Sequence, residues 1–255
     1  MRIFWTFCIY NEIELLPFKI DYIRKNDIDC YVFDNMSTDG SWQWLQDNRV
    51  PSKQFDSEDM FNLNLNTYLM AMKIHEVKPD WAMFSGADGF YIHQDCKNLR
   101  ETIEWLDRES FTAVNDCFNT FVFVYTGSEQ KGIDPRLNYM FYVKRSGIHQ
   151  RCIAKYFPGM SISGDAFRTI GANRIYERND LVFLHYTLRS DGRERKVEQY
   201  ARRKKAWDNG MVPKEWGHHY KDFIVKNKFV YNKDKLLDIR NSGLWGQIKS
   251  SVLNG

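Results

Sequence analysis

Two acidic residues stand directly after short apolar runs, where a carboxylate can reach a bound molecule. Asp34 follows the apolar residues 30–33, and Asp88 follows residues 81–84 and lies between Gly86 and Gly89. At the first position a carboxylate can accept hydrogen bonds from a ribose or a base edge. At the second it can hold Mg²⁺ or Mn²⁺ that bridges phosphates. Each position also has an ordinary explanation as a turn, because Asp bonds its own backbone there, so neither is specific by itself.

The elements that would position these residues alternate between strands and helices. The apolar pattern predicts strands at residues 3–10, 30–33 and 81–84 and helices at 13–23, 42–48 and 63–77. In the last of these helices the spacing predicts a buried stripe of Leu65, Leu69, Met72 and Val77. Such alternation is typical of parallel strands with crossover helices, and ligands of these sheets bind beyond the carboxyl ends of the strands. The segments after residues 9, 33 and 84 are therefore the places to look.

The second part of the chain is less regular. Residues 112–125 and 137–144 are rich in strand-forming residues, a last strand is predicted at 181–184 before His185 and Tyr186, and a basic helix at 194–207. We expect one α/β domain over residues 1–190, with a first half at 1–90 and a second half at 91–190. A basic helical extension follows at 191–255.

Composition and charge are those of a globular protein with an uneven charge distribution. Of the 255 residues, 43% are hydrophobic and 27% charged, which excludes a globally disordered chain. Residues 1–184 carry 20 basic and 25 acidic side chains, whereas residues 185–255 carry 16 and 8. The basic C-terminal part is compatible with peripheral contact to an anionic membrane surface. It contains no nucleic-acid-binding motif, so we expect no nucleic-acid partner.

The five cysteines are widely spaced and form no Cys-x-x-Cys pair. This argues against a disulfide framework and a structural zinc site and favours a reducing compartment. The first residues lack the layout of a secretory signal, and no run of about 20 apolar residues occurs. We therefore expect a cytoplasmic protein.

Taken together, four pieces of the chain resemble the GT-A glycosyltransferases of family two. They are Ile9-Tyr-Asn-Glu12, Tyr31-Val-Phe-Asp-Asn-Met-Ser-Thr-Asp-Gly-Ser41, Asp80-Trp-Ala-Met-Phe-Ser-Gly-Ala-Asp-Gly-Phe90, and His185-Tyr186 with Arg189-Ser190. Their order and spacing match, and they span about residues 3 to 205. The Asp-Asn-x-Ser-Thr-Asp-Gly turn is the most specific piece. The resemblance implies a GT-A, Rossmann-like mixed sheet flanked by helices and the transfer of a sugar from a nucleotide-sugar donor to a glycan or lipid-linked acceptor. It also implies that residues 1–90 are the nucleotide-binding half of the domain and residues 91–190 the acceptor half.

The resemblance also assigns roles to residues of this chain. The donor-binding residues that it implies are Tyr10, Asn11, Glu12, Asp34, Asn35, Gly86, Ala87, Asp88, His185 and Arg189. Asp88 is the expected ligand of Mn²⁺ or Mg²⁺. The chain departs from the family here, because only the final Asp of the usual Asp-x-Asp motif is present, and one carboxylate binds a divalent cation less tightly than two. His185, Arg189 and the lysines of the basic helix could stabilise the departing diphosphate.

For the catalytic base we favour Asp165, where similar enzymes carry an Asp or a His that faces the acceptor. Asp116 and Asp134 are the alternatives. A base at this place would give an inverting transfer. The other interpretation of the whole chain is a catalytically degenerate module that binds nucleotide-sugars or acts as a scaffold, and the glycines around Asp88 favour it.

Overall fold

The computed structural model describes residues 1–95, 98–114, 120–145, 152–163, 166–168, 174–177, 180–188, 192–211 and 236–253. The strands of the first half are β1 (Ile3–Ile9), β2 (Asp29–Asp34), β3 (Ser52–Gln54), β4 (Trp81–Phe84) and β5 (Gly89–His93). Those of the second half are β6 (Ala113–Val114), β7 (Thr120–Val124), β8 (Phe141–Arg145), β9 (Ile153–Lys155), β10 (Ser161–Ser163), β11 (Ala166–Arg168), β12 (Ile175–Tyr176), β13 (Leu181–Leu188) and β14 (Leu237–Asp238). The helices are α1 (Leu16–Lys25), α2 (Ser41–Asp47), α3 (Leu63–Val77), α4 (Leu99–Arg108), α5 (Pro135–Asn138), α6 (Gly192–Asp208) and α7 (Trp245–Leu253), with a 3-10 turn at Ile239–Asn241.

A seven-stranded sheet combines β1 to β4 of the first half of the chain with three strands of the second half. Its strand order is β12-β6-β9-β4-β1-β2-β3. β1 pairs in parallel with β2 and β4, and β2 pairs in parallel with β3, whereas β9 is antiparallel to β4 and β6. The order β3-β2-β1-β4 is the one that doubly wound nucleotide-binding sheets use. It confirms the mixed-sheet α/β fold, flanked by helices, that the sequence predicts.

A second sheet of five strands has the order β14-β8-β7-β13-β5. Here β13 lies between β7 and the edge strand β5, parallel to β7 and antiparallel to β5. Because β5 begins only five residues after β4 ends, the turn between them passes from the first sheet to the second. A two-stranded ribbon, β10-β11, completes the sheets of the described residues.

The predicted inner face of α3 is wrong, although its boundaries are correct. The buried residues are Asn66, Thr67, Met70 and Ile74, and Met72 is 51% exposed. Because two of these buried side chains, Asn66 and Thr67, are polar, the spacing of apolar residues does not identify this face. The Thr67 hydroxyl is accommodated there because it donates to the carbonyl of Leu63, within its own helix, at 2.9 Å.

The elements between residues 89 and 111 were not anticipated by the sequence pattern. All five residues of β5 are buried, so the strand shows no alternation of apolar and polar side chains. α4 begins at a cap, where the Asn98 side chain accepts a hydrogen bond from the backbone N–H of Glu101 at 2.8 Å. In the described part of the chain, no helix has both the length and the apolar character that a membrane span needs.

Candidate functional site

The carboxyl ends of β1, β2 and β4 lie along one edge of the seven-stranded sheet, which we call the rim. In the parallel register Ile9 is level with Asp34, and Thr6 is level with Phe84. Neighbouring strands are about 4.8 Å apart, and β4 ends three residues before the level at which β2 ends, so the ends of β2 and β4 are roughly 10 Å apart across β1 and about 10 Å apart along it. The segments after these three strands therefore share one edge, as the sequence predicts.

The loops after β1 and β2 are bonded to each other. Three backbone N–H groups of the first loop donate to side chains of the second: Asn11 to Ser37 Oγ (2.9 Å), Glu12 to Ser41 Oγ (3.0 Å) and Ile13 to Asp39 Oδ2 (2.9 Å). In return, the Asn11 side chain accepts a hydrogen bond from the N–H of Thr38 at 2.8 Å. Asp39 also accepts from the N–H of Ser41. The Ser-Thr-Asp-Gly-Ser part of the turn therefore fixes the loop after β1, in addition to leading into α2.

Asp34 carries an unused acceptor at the rim. Its side chain is fully buried, and Oδ2 accepts hydrogen bonds from the Ser37 N–H at 3.1 Å and from Gln54 Nε2 at 3.0 Å. Oδ1 is buried as well, and no described group donates to it. A buried acceptor without a donor costs about 1 to 3 kcal/mol. A ligand that offers an N–H or O–H here would recover that cost.

Asn35 has a different role from Asp34. It is 5% exposed, its amide nitrogen donates to Ser57 Oγ at 2.8 Å, and its amide oxygen accepts from the backbone N–H of Ser57 at 3.3 Å. Ser57 in turn bonds the carbonyl of Met60. The side chain of Asn35 therefore anchors the turn at residues 57–60 against the rim.

Helix α6 packs on the end of β1. The Tyr10 hydroxyl donates to Glu198 at 2.7 Å, and the guanidinium of Arg202 lies 3.4 Å from the centre of the Tyr10 ring. Burial, and then the contact with Glu198, raise the pKa of Tyr10 to about 12. Arg202 also donates to the carbonyl of Met60 at 3.2 Å. Neither Glu198 nor Arg202 was expected at the site, since their helix is far away in sequence.

Two lysines of α6 already have partners in this structure. Lys204 donates to Asp208 at 2.5 Å, one helical turn further on, and Lys205 donates to the carbonyl of Glu58 at 2.6 Å. Contacts within the protein therefore account for the positions of these two lysines without a bound diphosphate.

On the other side of β1, Asp88 pairs with His185. Asp88 Oδ2 is 3.2 Å from His185 Nε2, and the side chains are 22% and 32% exposed. The backbone joins the same two elements, because the N–H of Tyr186 donates to the carbonyl of Asp88 at 2.8 Å. His185 and Tyr186 point to opposite faces of β13, so His185 meets the turn while Tyr186 is fully buried in the core.

The two glycines around Asp88 have different surroundings, and close packing requires only Gly89. A Cβ atom at Gly86 would lie 2.5 Å from Asp88 Oδ1, and one at Gly89 would collide with the ring of Phe183. Ala87 is 2% exposed and packs in the main core, so its methyl group does not reach the rim. The contact at Gly86 is with the end of the Asp88 side chain, so a side chain at position 86 would require that carboxylate to rotate.

A buried lysine lies beneath this turn and was missed by the sequence interpretation. Lys19 on α1 is fully buried, and its ammonium donates to the carbonyl of Gly89. A usable signal existed: Lys19 interrupts the apolar spacing of Leu16, Ile20 and Ile23 on the inner face of its helix.

Asp88 and His185 are the described groups that could hold a metal ion at the rim. A carboxylate and an imidazole are both acceptable ligands for Mn²⁺, and Mg²⁺ commonly takes one or two carboxylates with phosphates and water. Elsewhere in the described residues, as at the rim, no cluster of three or more His, Cys, Asp or Glu side chains could hold a metal. The residues present therefore fit a cation that a diphosphate helps to bind.

Of the remaining predicted residues, Asp165 and Arg189 lie outside the described residues, and so does Asp116. Asp134 can be assessed. Both of its oxygens accept hydrogen bonds from the fully buried Arg136, at 3.0 and 2.7 Å. As an alternative for the catalytic base Asp134 is a poor choice, because its lone pairs serve a buried ion pair.

Comparison with known proteins gives structural matches at low identity. The chain is similar to S. aureus TarS 1–349 in complex with UDP-GlcNAc, with 13% identity, a TM-score of 0.46, and coverage of 89% of this chain and 71% of that one. It is also similar to glucosyl-3-phosphoglycerate synthase from Mycobacterium tuberculosis in complex with Mn²⁺, UDP and glucosyl-3-phosphoglycerate, with 15% identity, a TM-score of 0.32, and coverage of 48% and 44%. A third match is A197 from STIV, with 14% identity, a TM-score of 0.36, and coverage of 73% and 86%.

No protein-family model matches the chain, and no curated protein matches it. We therefore argue its function from its own residues.

Proposed function

We propose that the chain is a glycosyltransferase that moves a sugar, of the hexosyl type, from a nucleotide-sugar to a glycan or glycolipid-linked acceptor. The observation that carries the proposal is the composition of the rim. On one side of β1 lies the unused buried acceptor of Asp34, and on the other lies the Asp88–His185 pair. The first suits the hydroxyls of a ribose or the N–H of a base, and the second suits a diphosphate with its cation.

In this proposal the donor lies across the end of β1. The loop of Tyr10, Asn11 and Glu12 lines the base, and Asp34 accepts from the base or the ribose. Asn35 acts by holding the turn that it contacts. The mutual bonds of the loops after β1 and β2 support this arrangement, because they hold the loops in position before a ligand arrives.

The diphosphate then lies over the Gly86–Asp88 turn, with His185 and, by resemblance, Arg189 beside it. The absence of a side chain at Gly86 allows the close approach of a phosphate to the backbone. When bound, Mn²⁺ or Mg²⁺ held by Asp88 and His185 would neutralise charge on the departing diphosphate. Imidazole and guanidinium donors favour the same charge.

Transfer needs a base for the acceptor hydroxyl on the face opposite the leaving group. We retain Asp165 for this role on the strength of the resemblance, and attack from that face inverts the anomeric centre. The cytoplasmic location and a peripheral membrane contact of the basic C-terminal part belong to the same proposal, as does the lack of a nucleic-acid partner.

A panel of UDP-, GDP- and dTDP-sugars, each with and without Mn²⁺, tests donor binding by thermal shift. A ligand that binds only the folded state stabilises it, by about 2.7 kcal/mol at a ligand concentration a hundredfold above Kd, and so raises the midpoint of thermal unfolding. We expect a shift with one nucleotide class and a smaller one for Asp34→Ala. Asp47→Ala on the exposed surface of α2 is the matched control. Equal shifts for the wild type and Asp34→Ala would remove Asp34 from the site, and no shift with any donor would refute the proposal.

A second candidate function is a binding or scaffolding module that keeps the nucleotide site without catalysis. The glycine at position 86 favours it, because the turn then carries a single carboxylate, that of Asp88. Donor hydrolysis during a Mn²⁺ titration separates the two candidates. Turnover supports the transferase, whereas nucleotide binding without turnover on any nucleotide-sugar supports the module.

A further inference from the structure

Lys19 places its amino group inside the core, directly beneath the turn that carries Asp88. Its ammonium donates to the carbonyl of Gly89 and lies 3.3 Å from Ser85 Oγ, so it contacts both ends of the turn. The same nitrogen is 3.5 Å from the centre of the Trp5 ring. The side chain is fully buried.

This position is unfavourable for a lysine unless its contacts are needed. Removing an ammonium group from water is expensive, and burial lowers the pKa of Lys19 well below its ordinary value, an effect that the charge of Asp88 partly opposes. The neighbouring buried residues of α1, Leu16, Ile20 and Ile23, are apolar. An apolar residue at position 19 would continue that stripe, but it would leave the Gly89 carbonyl without this donor.

The helix that carries Lys19 also begins directly after the loop that follows β1, in the middle of the rim. The carbonyl of Glu12 accepts hydrogen bonds from the N–H groups of Leu15 and Leu16, at 3.0 and 2.8 Å. The loop before α1 therefore continues directly into the helix. Through Lys19 the same helix is bonded to the turn of Asp88, so α1 connects the loop after β1 with the turn after β4.

We propose that Lys19 is a positioning residue for the diphosphate end of the donor site: it ties the Ser85–Gly89 turn to α1 and thereby sets the distance between that turn and the loop that receives the nucleoside. The inference rests on the proposed function. Lys19 touches no substrate in this arrangement, and it acts through the turn alone.

The test compares a nucleoside diphosphate with its monophosphate, because only the diphosphate reaches the turn. The nucleotide is the best binder among UDP, GDP and dTDP, and its Kd is measured by calorimetry with Mn²⁺ for the wild type and for Lys19→Met. We expect the monophosphate Kd to change by less than about twofold. The additional affinity of the diphosphate should fall by about tenfold or more, because the turn that receives it is no longer held in place.

Two further variants separate positioning from folding. Lys25→Met is the control on the same helix, because Lys25 donates to the carbonyl of Val252, on α7, instead of the turn. Ser85→Ala removes the second contact of Lys19 from a partly exposed position, and it should reduce the diphosphate gain in the same direction even if Lys19→Met does not fold.

The inference would be overturned if Lys19→Met weakened the binding of the monophosphate and of the diphosphate equally. It would also be overturned if the additional affinity of the diphosphate were unchanged in Lys19→Met or in Ser85→Ala. Wild-type protein that binds no nucleotide would instead refute the proposed function, so the two failures can be told apart.

Discussion

The two sheets are stabilised at the site by different kinds of contact. At the rim of the seven-stranded sheet, side chains of the loop after β2 accept hydrogen bonds from the backbone of the loop after β1. In the five-stranded sheet the contacts are between rings: Phe121 stacks on Tyr142 at 4.2 Å, and Phe123 stacks on Tyr186 at 4.6 Å. The first kind fixes the direction of polar groups, and the second contributes buried apolar area.

The difference shows that the two sheets contribute to the candidate site in different ways. β13 belongs to the ring-packed sheet, but it presents His185 to Asp88 on its other face. The turn of Asp88 therefore depends on both sheets, since it follows β4 of the first and leads into β5 of the second. We expect changes in the ring-packed sheet to act mainly on stability and changes in the bonded loops to act mainly on nucleotide binding.

The largest expected effect is that of Phe123→Ala. Phe123 is fully buried between Tyr142 and Tyr186, and removing a buried Phe side chain costs about 3 to 5 kcal/mol. We expect a loss of that size in the free energy of unfolding measured with urea. Phe123→Leu is the control and should lose less. For the fraction that remains folded, the Kd of a nucleoside monophosphate should be unchanged. A Kd that rises as stability falls would contradict the separate effects of the two regions on stability and on nucleotide binding.

Asp39→Ala tests the bonded loops. Asp39 accepts from the N–H groups of Ile13 and Ser41, so we expect a loss of about 1 to 3 kcal/mol of stability. The loop after β1 also loses one of its fixed points, and the Kd of a nucleoside monophosphate should rise. Asp39→Asn keeps one oxygen acceptor and should lie between the wild type and the alanine variant. Unchanged affinity in Asp39→Ala would show that these bonds do not prepare the site.

The parallel half of the fold could be predicted because local signals agree with the tertiary structure there. α3 spans residues 63–77 as predicted, and it begins at Asn62, whose side chain accepts from the Leu65 N–H at 3.0 Å. The inner face of the helix could not be predicted, because Asn66 and Thr67 are buried on it. β5 was missed because its apolar run, at residues 90–92, is only three residues long.

The candidate site was only partly predictable for a related reason. Asp34 and Asp88 follow apolar strands, so their place at one edge could be deduced from the order of elements. The contacts of Tyr10 with α6 join residues 188 positions apart. No local pattern reports such a contact. Lys19 was missed because a lysine on an otherwise apolar helix face is ordinarily expected to extend to solvent.

The smallest expected effect concerns a polar contact of the first sheet away from the rim. Asp107 accepts hydrogen bonds from Lys155 at 2.7 Å and from the indole N–H of the buried Trp81 at 3.0 Å. These bonds, the one from Lys155 first, hold the pKa of Asp107 below its ordinary value. In the folded state the carboxyl is therefore protonated only at a lower pH than in the unfolded chain. Its contribution to stability is complete above about pH 4 and is lost as the pH falls through the folded value.

Asp107→Asn should remove that dependence. The side chain is 36% exposed, so solvent screening limits the effect to about 1 kcal/mol or less. The measurement is the free energy of unfolding in urea at pH 6 and at pH 3 for the wild type, Asp107→Asn and the surface control Asp47→Asn. We expect the difference between the two pH values to shrink only for Asp107→Asn. Because Trp81 begins β4, a change of nucleotide affinity in this variant would mean that the rim responds to contacts at the opposite end of its strand, and the polar bonds of the loops would then not act locally.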